Sequence, residues 1–382
     1  MRTLLSALLL VVAAPVCLAQ TFATPADNGP TVAPKKPVIF DLSAIDKSAD
    51  PCTDFYQYVC GNWKKDNPIP SDQVRWGRFN ELSDRNNYLL YTELKAAADA
   101  PKTPLQRQYG DFFGACMNTA EVDKLGVKPL EPELEAIAAL SSSKDLAAFN
   151  AKQMKRGGGG FLGVGVTQDQ KDSSQQIAAT GQGGLTLPDR DYYLNPDARY
   201  ATIRKQYTDH MVKMFKLLGD TDDKAVAEAN DVMQIETALA KGSMDRVAMR
   251  DPANRYHMMS VADLQKLSPN YDWTVYLDGI GMPQVKDIDV MSPGYVTTVN
   301  QMLTTQPLQA IKAYLRWHAL HEAAPLLSKP FEDENFAFFS QTLQGQKEEQ
   351  PRWKRCTRLT DRALGEAVGQ DWVKQNFPPD AK

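Results

Sequence analysis

Apolar side chains return every three or four positions over most of this chain, and short clusters of Pro, Gly, Asn and Asp separate the segments that carry that period. Such spacing puts one face of each segment into a core and predicts a mainly α fold, a large multi-helix lobe. Leu105, Tyr109, Phe112, Phe113 and Cys116 keep the helical period, which places Cys116 on the buried side of a helix over about 105–117. Ile203, Tyr207, Met211, Met214, Phe215 and Leu218 mark another, which stops at Gly219, a residue suited to a helix C-cap. Val232, Met233, Ile235 and Leu239 mark its partner in an αα-hairpin, over about 224–241. Helices are also predicted over about 51–60, 79–98, 123–141, 143–154, 293–303, 307–320 and 331–344, with a last one through Leu359, Leu364, Val368, Trp372 and Val373. The first of these is read as capped by Asp50, with Pro51 at its first position and Gly61-Asn62 as its stop. The period changes to alternation at 161–166, and 175–180 supplies a partner across a polar turn, so one small β-hairpin is predicted.

The start of the chain does not fit this pattern. Met1-Arg2, the apolar run at 4–14 and Pro15-Val-Cys-Leu-Ala19 form a short positive start, an apolar core and a small residue before a cleavage point. Those are the parts of a secretory signal, and the apolar run is well short of the ~20 residues a membrane span needs. Residues 1–19 are therefore read as a signal peptide, residues 20–38 as a flexible linker rich in Pro, Ala and Thr, and residues 39–382 as the folded lobe. Export follows, to a periplasmic or extracellular place with membrane association left open and no stable membrane span.

Composition narrows the function. At 382 residues, 43% hydrophobic, the chain can bury a large core. A formal net charge of -4 without a long basic run gives no electrostatic footprint for nucleic acid. The basic stretch at 350–358 is flanked by Glu348, Glu349, Asp361 and Glu366, which favours internal ion pairs. Four glycines at 157–160 make a loop without the Lys-Ser/Thr that a phosphate cradle requires. His318, His321 and Glu322 stand in the order His-Ala-Leu-His-Glu, whereas a zinc-peptidase helix needs His-Glu-x-x-His, so His318 is read as a packed histidine and no metal ligand is assigned. Removal of the leader leaves Cys52, Cys60, Cys116 and Cys356, an even number in an oxidising compartment, at spacings that make no metal knuckle. For Cys116 the period alone leaves a disulfide and a small core residue equally open.

Two segments carry the most specific signal. Cys52-Thr-Asp-Phe-Tyr-Gln-Tyr-Val-Cys60-Gly-Asn-Trp63 has two cysteines eight residues apart, several aromatics and a Gly-Asn pair. Gly181-Gln182-Gly-Gly-Leu185-Thr-Leu-Pro188-Asp-Arg190-Asp191-Tyr192-Tyr193 holds Arg190 between two aspartates, read as a loop-bracing ion-pair cluster, with the tyrosines plugging the loop onto a helix. Both segments resemble signatures of the neprilysin-like (M13) zinc metallopeptidases. Arg75-Trp-Gly, residues 112–118 and Arg352-Trp-x-x-Cys356 follow in the same order, and the resemblance runs from about Asp50 to the end.

That resemblance implies the helical N-terminal lobe of such an enzyme, which caps a zinc-binding catalytic lobe and restricts substrates to peptides. The family's His-Glu-x-x-His helix is not among these residues. Zinc belongs to the complete family enzyme, and no cofactor is assigned to this chain. The resemblance pairs Cys116 with Cys356, and it gives Cys52 and Cys60 partners in the catalytic lobe, so here they are left unpartnered. Arg75 matches the arginine that receives the downstream carboxylate of a peptide, a suitable task for a forked donor. A second family arginine, eight residues on, is Ser83 here. The expected function is the substrate-gating lobe of a secreted zinc metalloendopeptidase acting on oligopeptides, inactive alone. Its expected partners are peptides and a catalytic lobe in cis or as a split-gene product. The alternatives are a non-enzymatic exported peptide- or protein-binding helical protein, and a fragment.

Overall fold

The computed structural model describes residues 29–381 apart from residues 31 and 39, so the predicted leader and part of the linker lie outside the described residues. The first helix, α1 (Phe55–Asp66), begins later and runs further than the sequence pattern predicts. Asp54 caps it by accepting from Gln57 N, while Asp50 closes a separate turn through Cys52 N. Gly61 lies buried inside it rather than ending it. A Cβ there would stand 2.7 Å from Asp46 Cβ, so the glycine serves close approach of the preceding turn.

Next come α2 (Arg78–Asp99), α3 (Pro104–Met117) and α4 (Thr119–Leu125). Tyr91, Leu94 and Ala97 of α2 and Tyr109 and Phe113 of α3 meet in a small separate core, which Trp353, Cys356 and Val368 complete from the far end of the chain. α5 (Glu131–Ala138) and α6 (Leu146–Met154) lead into β1 (Val164–Gln168) and β2 (Gln176–Thr180), an antiparallel hairpin with Val164 opposite Thr180. A short α7 (Asp191–Leu194) precedes the hairpin of long helices, α8 (Ala198–Leu217) and α9 (Asp222–Gly242).

The hairpin does not stand alone. β3 (Met258–Ser260) and, after α10 (Val261–Leu267) and α11 (Trp273–Gly279), β4 (Asp287–Val290) extend it into a four-stranded mixed sheet ordered β1-β2-β4-β3. β2 and β4 run parallel, which solves the marginal stability of a lone two-stranded ribbon. α12 (Pro293–Thr305) and α13 (Leu308–Ala323) follow, and α13 packs on α9 through the main core around Tyr314, Trp317 and Leu320.

The aromatic segment predicted as one helix is split. α14 (Lys329–Asn335) continues as a π-helical turn, Phe336–Thr342. The last helix, α15 (Arg352–Asn376), takes in the basic stretch from its first residue and kinks at Leu364. Its basic side chains are used internally. Arg352 and Arg355 both bond Glu332 of α14, and Lys354 pairs with Asp72 and Asp84. The Glu332 pairs tie the small core to the main one, while Lys354 fastens α15 to α2 and the loop before it.

Candidate substrate-facing surface and buried motif

The signature loop is held from both ends by its own side chains. Gln182 donates from Nε2 to Met244 O at 3.1 Å and accepts from Met244 N at 2.7 Å, which fastens the loop to the segment after α9. Arg190 donates to Ser243 O at 2.7 Å and not to either flanking aspartate. Asp189 instead pairs with Arg246 at 2.8 Å and accepts from Asp191 N, so the ion-pair cluster read from the sequence is replaced by a backbone clamp plus one separate pair. Pro188 O accepts from Arg246, Leu185 packs against the main core, and Tyr192 meets Tyr200 edge-on.

Tyr193 points inward and finds a residue that the pattern did not single out. Glu236 of α9 is 0% exposed, and its carboxyl accepts from Thr186 at 2.6 Å, Tyr193 at 2.7 Å and Tyr207 at 3.0 Å. His318 Nε2 of α13 lies 3.2 Å away on the same group. Burial, and after it the neighbouring Glu236, pushes both phenols well above their ordinary value. The one available signal was a glutamate between Ile235 and Leu239 on an otherwise apolar stripe. All these polar groups are consumed by one another, so the loop is an internal brace.

The α1–loop–α2 corner is one surface with unused chemistry. Asn67-Pro-Ile-Pro70 keeps that connection extended. Arg75 is exposed there and bonds no other described residue. Its neighbours on the same stretch are engaged: Arg78 pairs with Asp41 and Glu81 and lies over the Trp63 ring, and Arg85 donates to Pro34 O. Ser83 is exposed one turn into α2. Phe55 and Tyr56 are exposed at the far end of α1, and large apolar side chains stand in solvent on this connection and the start of α2, namely Ile69, Val74, Leu82 and Phe79, the last 89% exposed. Beside them Trp63, Trp76, Arg78, Glu81 and the segment at 34–38 line a cavity of about 330 Å³.

The histidines do not assemble a metal centre. His318 is spent on Glu236, while His321 stacks on Trp317 and against Phe339, where burial pushes it down to about 3. His210 bonds Glu334 at 3.0 Å. Among the described residues no three His, Cys, Asp or Glu side chains converge as a ligand set, so the residues present do not fit zinc. Cys116 and Cys356 form a disulfide between α3 and α15, and Cys52, exposed, and Cys60, half-buried, are free thiols. No helix among the described residues is long and apolar enough to cross a membrane.

A family model described as Peptidase family M13, for its N-terminal part, matches residues 51–382. Endothelin-converting enzyme 1 of Homo sapiens is 30% identical over 352 residues, a match covering 89% of this chain and 46% of that protein. Neprilysin-3 of Drosophila melanogaster is 29% identical over 364 residues with the same two coverages, 89% and 46%. The crystal structure of Mycobacterium tuberculosis zinc metalloprotease Zmp1 with an inhibitor superposes with a TM-score of 0.83 at 30% identity, over 88% of this chain and 52% of that one. The chain thus spans about half the length of the relatives it matches.

Proposed function

Because the chain belongs to peptidase family M13, as that family's N-terminal domain, we propose that it is the substrate-gating lobe of an exported zinc metalloendopeptidase acting on oligopeptides. The observation that carries the reading is Arg75, a guanidinium left unpaired amid exposed apolar side chains while Arg78 and Arg85 beside it are neutralised or bonded. A forked donor in that setting suits the terminal carboxylate of a peptide, and the apolar residues suit a facing lobe that shuts water out. With Ser83 in place of a second arginine, the carboxylate is held at one point, which favours endopeptidase over dipeptide-releasing action. Zinc and the water it activates belong to the facing lobe, and this chain's part is access and orientation. The disulfide agrees with export to an oxidising compartment.

The test is to incubate the pure chain with zinc and a quenched oligopeptide. No chelator-sensitive turnover is expected, and turnover that copurifies with the intact chain overturns the proposal. The chain is expected to bind a peptide with a free C-terminal carboxylate in preference to its amide, and Arg75→Ala is expected to abolish the preference. An unchanged preference removes Arg75 from the role.

A further inference from the structure

At the open end of the β1–β2 hairpin lies a second cavity, of about 250 Å³, lined by none of the residues of the Arg75 corner. Its walls are residues 158–163, which lead into β1, and residues 181–183, which leave β2, with Asn150 and Met154 of α6 beside them. Strand pairing ends at Val164 and Thr180, so the two arms part where the ladder would continue. Six of the eleven lining residues are glycine, so most of the wall is bare main chain open to close approach. The separation of the arms is set from below, because Tyr295 Oη lies 2.8 Å from both Phe161 O and Gly183 O.

Two independent observations mark a ligand site. The N–H groups of Gly159, Gly160, Phe161, Leu162 and Gly163 donate to no acceptor among the described residues, although those on either side do: Gly158 N to Gln153 O and Val164 N to Tyr276 Oη. Asn150 is 2% exposed, bonds Tyr271 Oη through Nδ2 at 3.3 Å, and leaves Oδ1 unmatched. Reversing that amide would leave an unmatched NH2 instead, so either orientation holds a closed-in amide edge without a partner, which a ligand reaches when the Gly160 main chain, whose added Cβ would stand 2.8 Å from Oδ1, moves aside. A peptide bond, donor on one side and acceptor on the other, satisfies both cases. An anion fits poorly, since no Lys or Arg lines the cavity and Glu322 Oε1 lies 3.2 Å from where a Cβ at Gly159 would stand.

The geometry points to this cleft as a binding site for a short peptide main chain, added beside residues 159–163 with one amide against Asn150. Two extended residues, ~7 Å of chain, match its size. The inference is separate from the role given to Arg75 and stands or falls without it.

The test titrates the full chain with N-acetyl-alanyl-alanine amide, which has no charged end, followed by NMR of the backbone amides. Saturable shifts centred on residues 159–163, with a Kd on the order of 1 mM or tighter, are expected. Gly163→Leu and Gly183→Leu add bulk at two lining positions where an added Cβ meets nothing within 4 Å, so both are expected to melt as the wild type does and to bind at least ~10-fold more weakly. Arg75→Ala is expected to leave this affinity unchanged. No saturation, shifts centred elsewhere, acetate binding as well as the dipeptide amide, or full affinity in leucine variants that melt normally each overturns the inference.

Discussion

A carboxyl group with no exposed surface persists at Glu236 because Thr186, Tyr193, Tyr207 and His318 converge on it from the signature loop, α8 and α13. Glu236→Ala strips the acceptor from these buried groups at once, and a loss of about 3–5 kcal/mol in urea unfolding is expected. Glu236→Gln keeps one acceptor oxygen and is expected to lose less than half as much. Equal losses would mean that packing volume, not the hydrogen bonds, is what Glu236 supplies. At this scale the sequence was legible only in part. Tyr193 and Arg190 stand out in a motif, but Arg190 turns away from Asp189 and Asp191 to a carbonyl 53 positions on, a partner no local spacing reveals. Glu236 has no motif, and its meaning depends on three other segments of chain. Asn150 is similar, since only the burial of α6 makes its amide conspicuous.

Single elements were read best where the apolar period was long. α8 and α9 carry many turns of one stripe, and period and core coincide there, whereas in α3 Phe112 keeps the period but stands exposed, and in α2 the buried residues are confined to Tyr91, Leu94 and Ala97. β3 and β4 are three and four residues long, too short for alternation to show, and the central β4 includes the buried Asp289, whose side chain accepts from His257 N. The packing of α2, α3 and α15 also has a consequence for pH. Glu93 of α2 lies 3.4 Å from Tyr109 Oη of α3, which also bonds Asp371 of α15 at 3.0 Å, with Lys374 paired to Asp371. Burial, then the Asp371 charge, pushes the Glu93 carboxyl up to about 7. The folded form therefore holds its proton where the unfolded chain has lost it. The stability this gives is complete below pH ~4.5 and is lost as pH rises through about 7, a change on the order of 2 kcal/mol once the full shift is discounted for the water that screens this half-exposed group. His321 acts with the opposite sense: its folded value of about 3 lies below the unfolded one, so its contribution is present above pH ~6.5 and is lost as pH falls toward 3. Urea unfolding across pH is expected to show Glu93→Gln flattening only the upper limb. A variant that keeps the wild-type fall between pH ~5 and ~7 would move the cause elsewhere, for instance to Glu349, also pushed up to about 7.

For the molecule as a whole, the two cores are joined late in the chain. The Cys116–Cys356 bond closes 240 residues, and Glu332 holds Arg352 and Arg355 beside it. Reduction is expected to lower the melting temperature by removing a constraint worth on the order of several kcal/mol in the unfolded chain. The corner outside that closure is left least finished. Ile69, Val74, Phe79 and Leu82 are exposed on the stretch that carries the unpaired Arg75, and Phe55, Tyr56 and the thiol of Cys52 are exposed at the start of α1. Scattered apolar side chains are ordinary on a surface, and a face that another body covers is where several on one stretch of chain are expected. In the proposed enzyme that body is the catalytic lobe. On its own, the chain is therefore expected to self-associate as its concentration rises, in sedimentation experiments with reductant present to exclude Cys52 cross-links. Phe79 gives the cleanest test, because at 89% exposure it contributes little to the fold. Phe79→Glu should leave the melting temperature within the small range usual for surface changes, ~0.5 kcal/mol, while shifting the chain toward monomer. A wild type that stays monomeric at high concentration, or a variant that associates equally well, would show that this corner is not an interface.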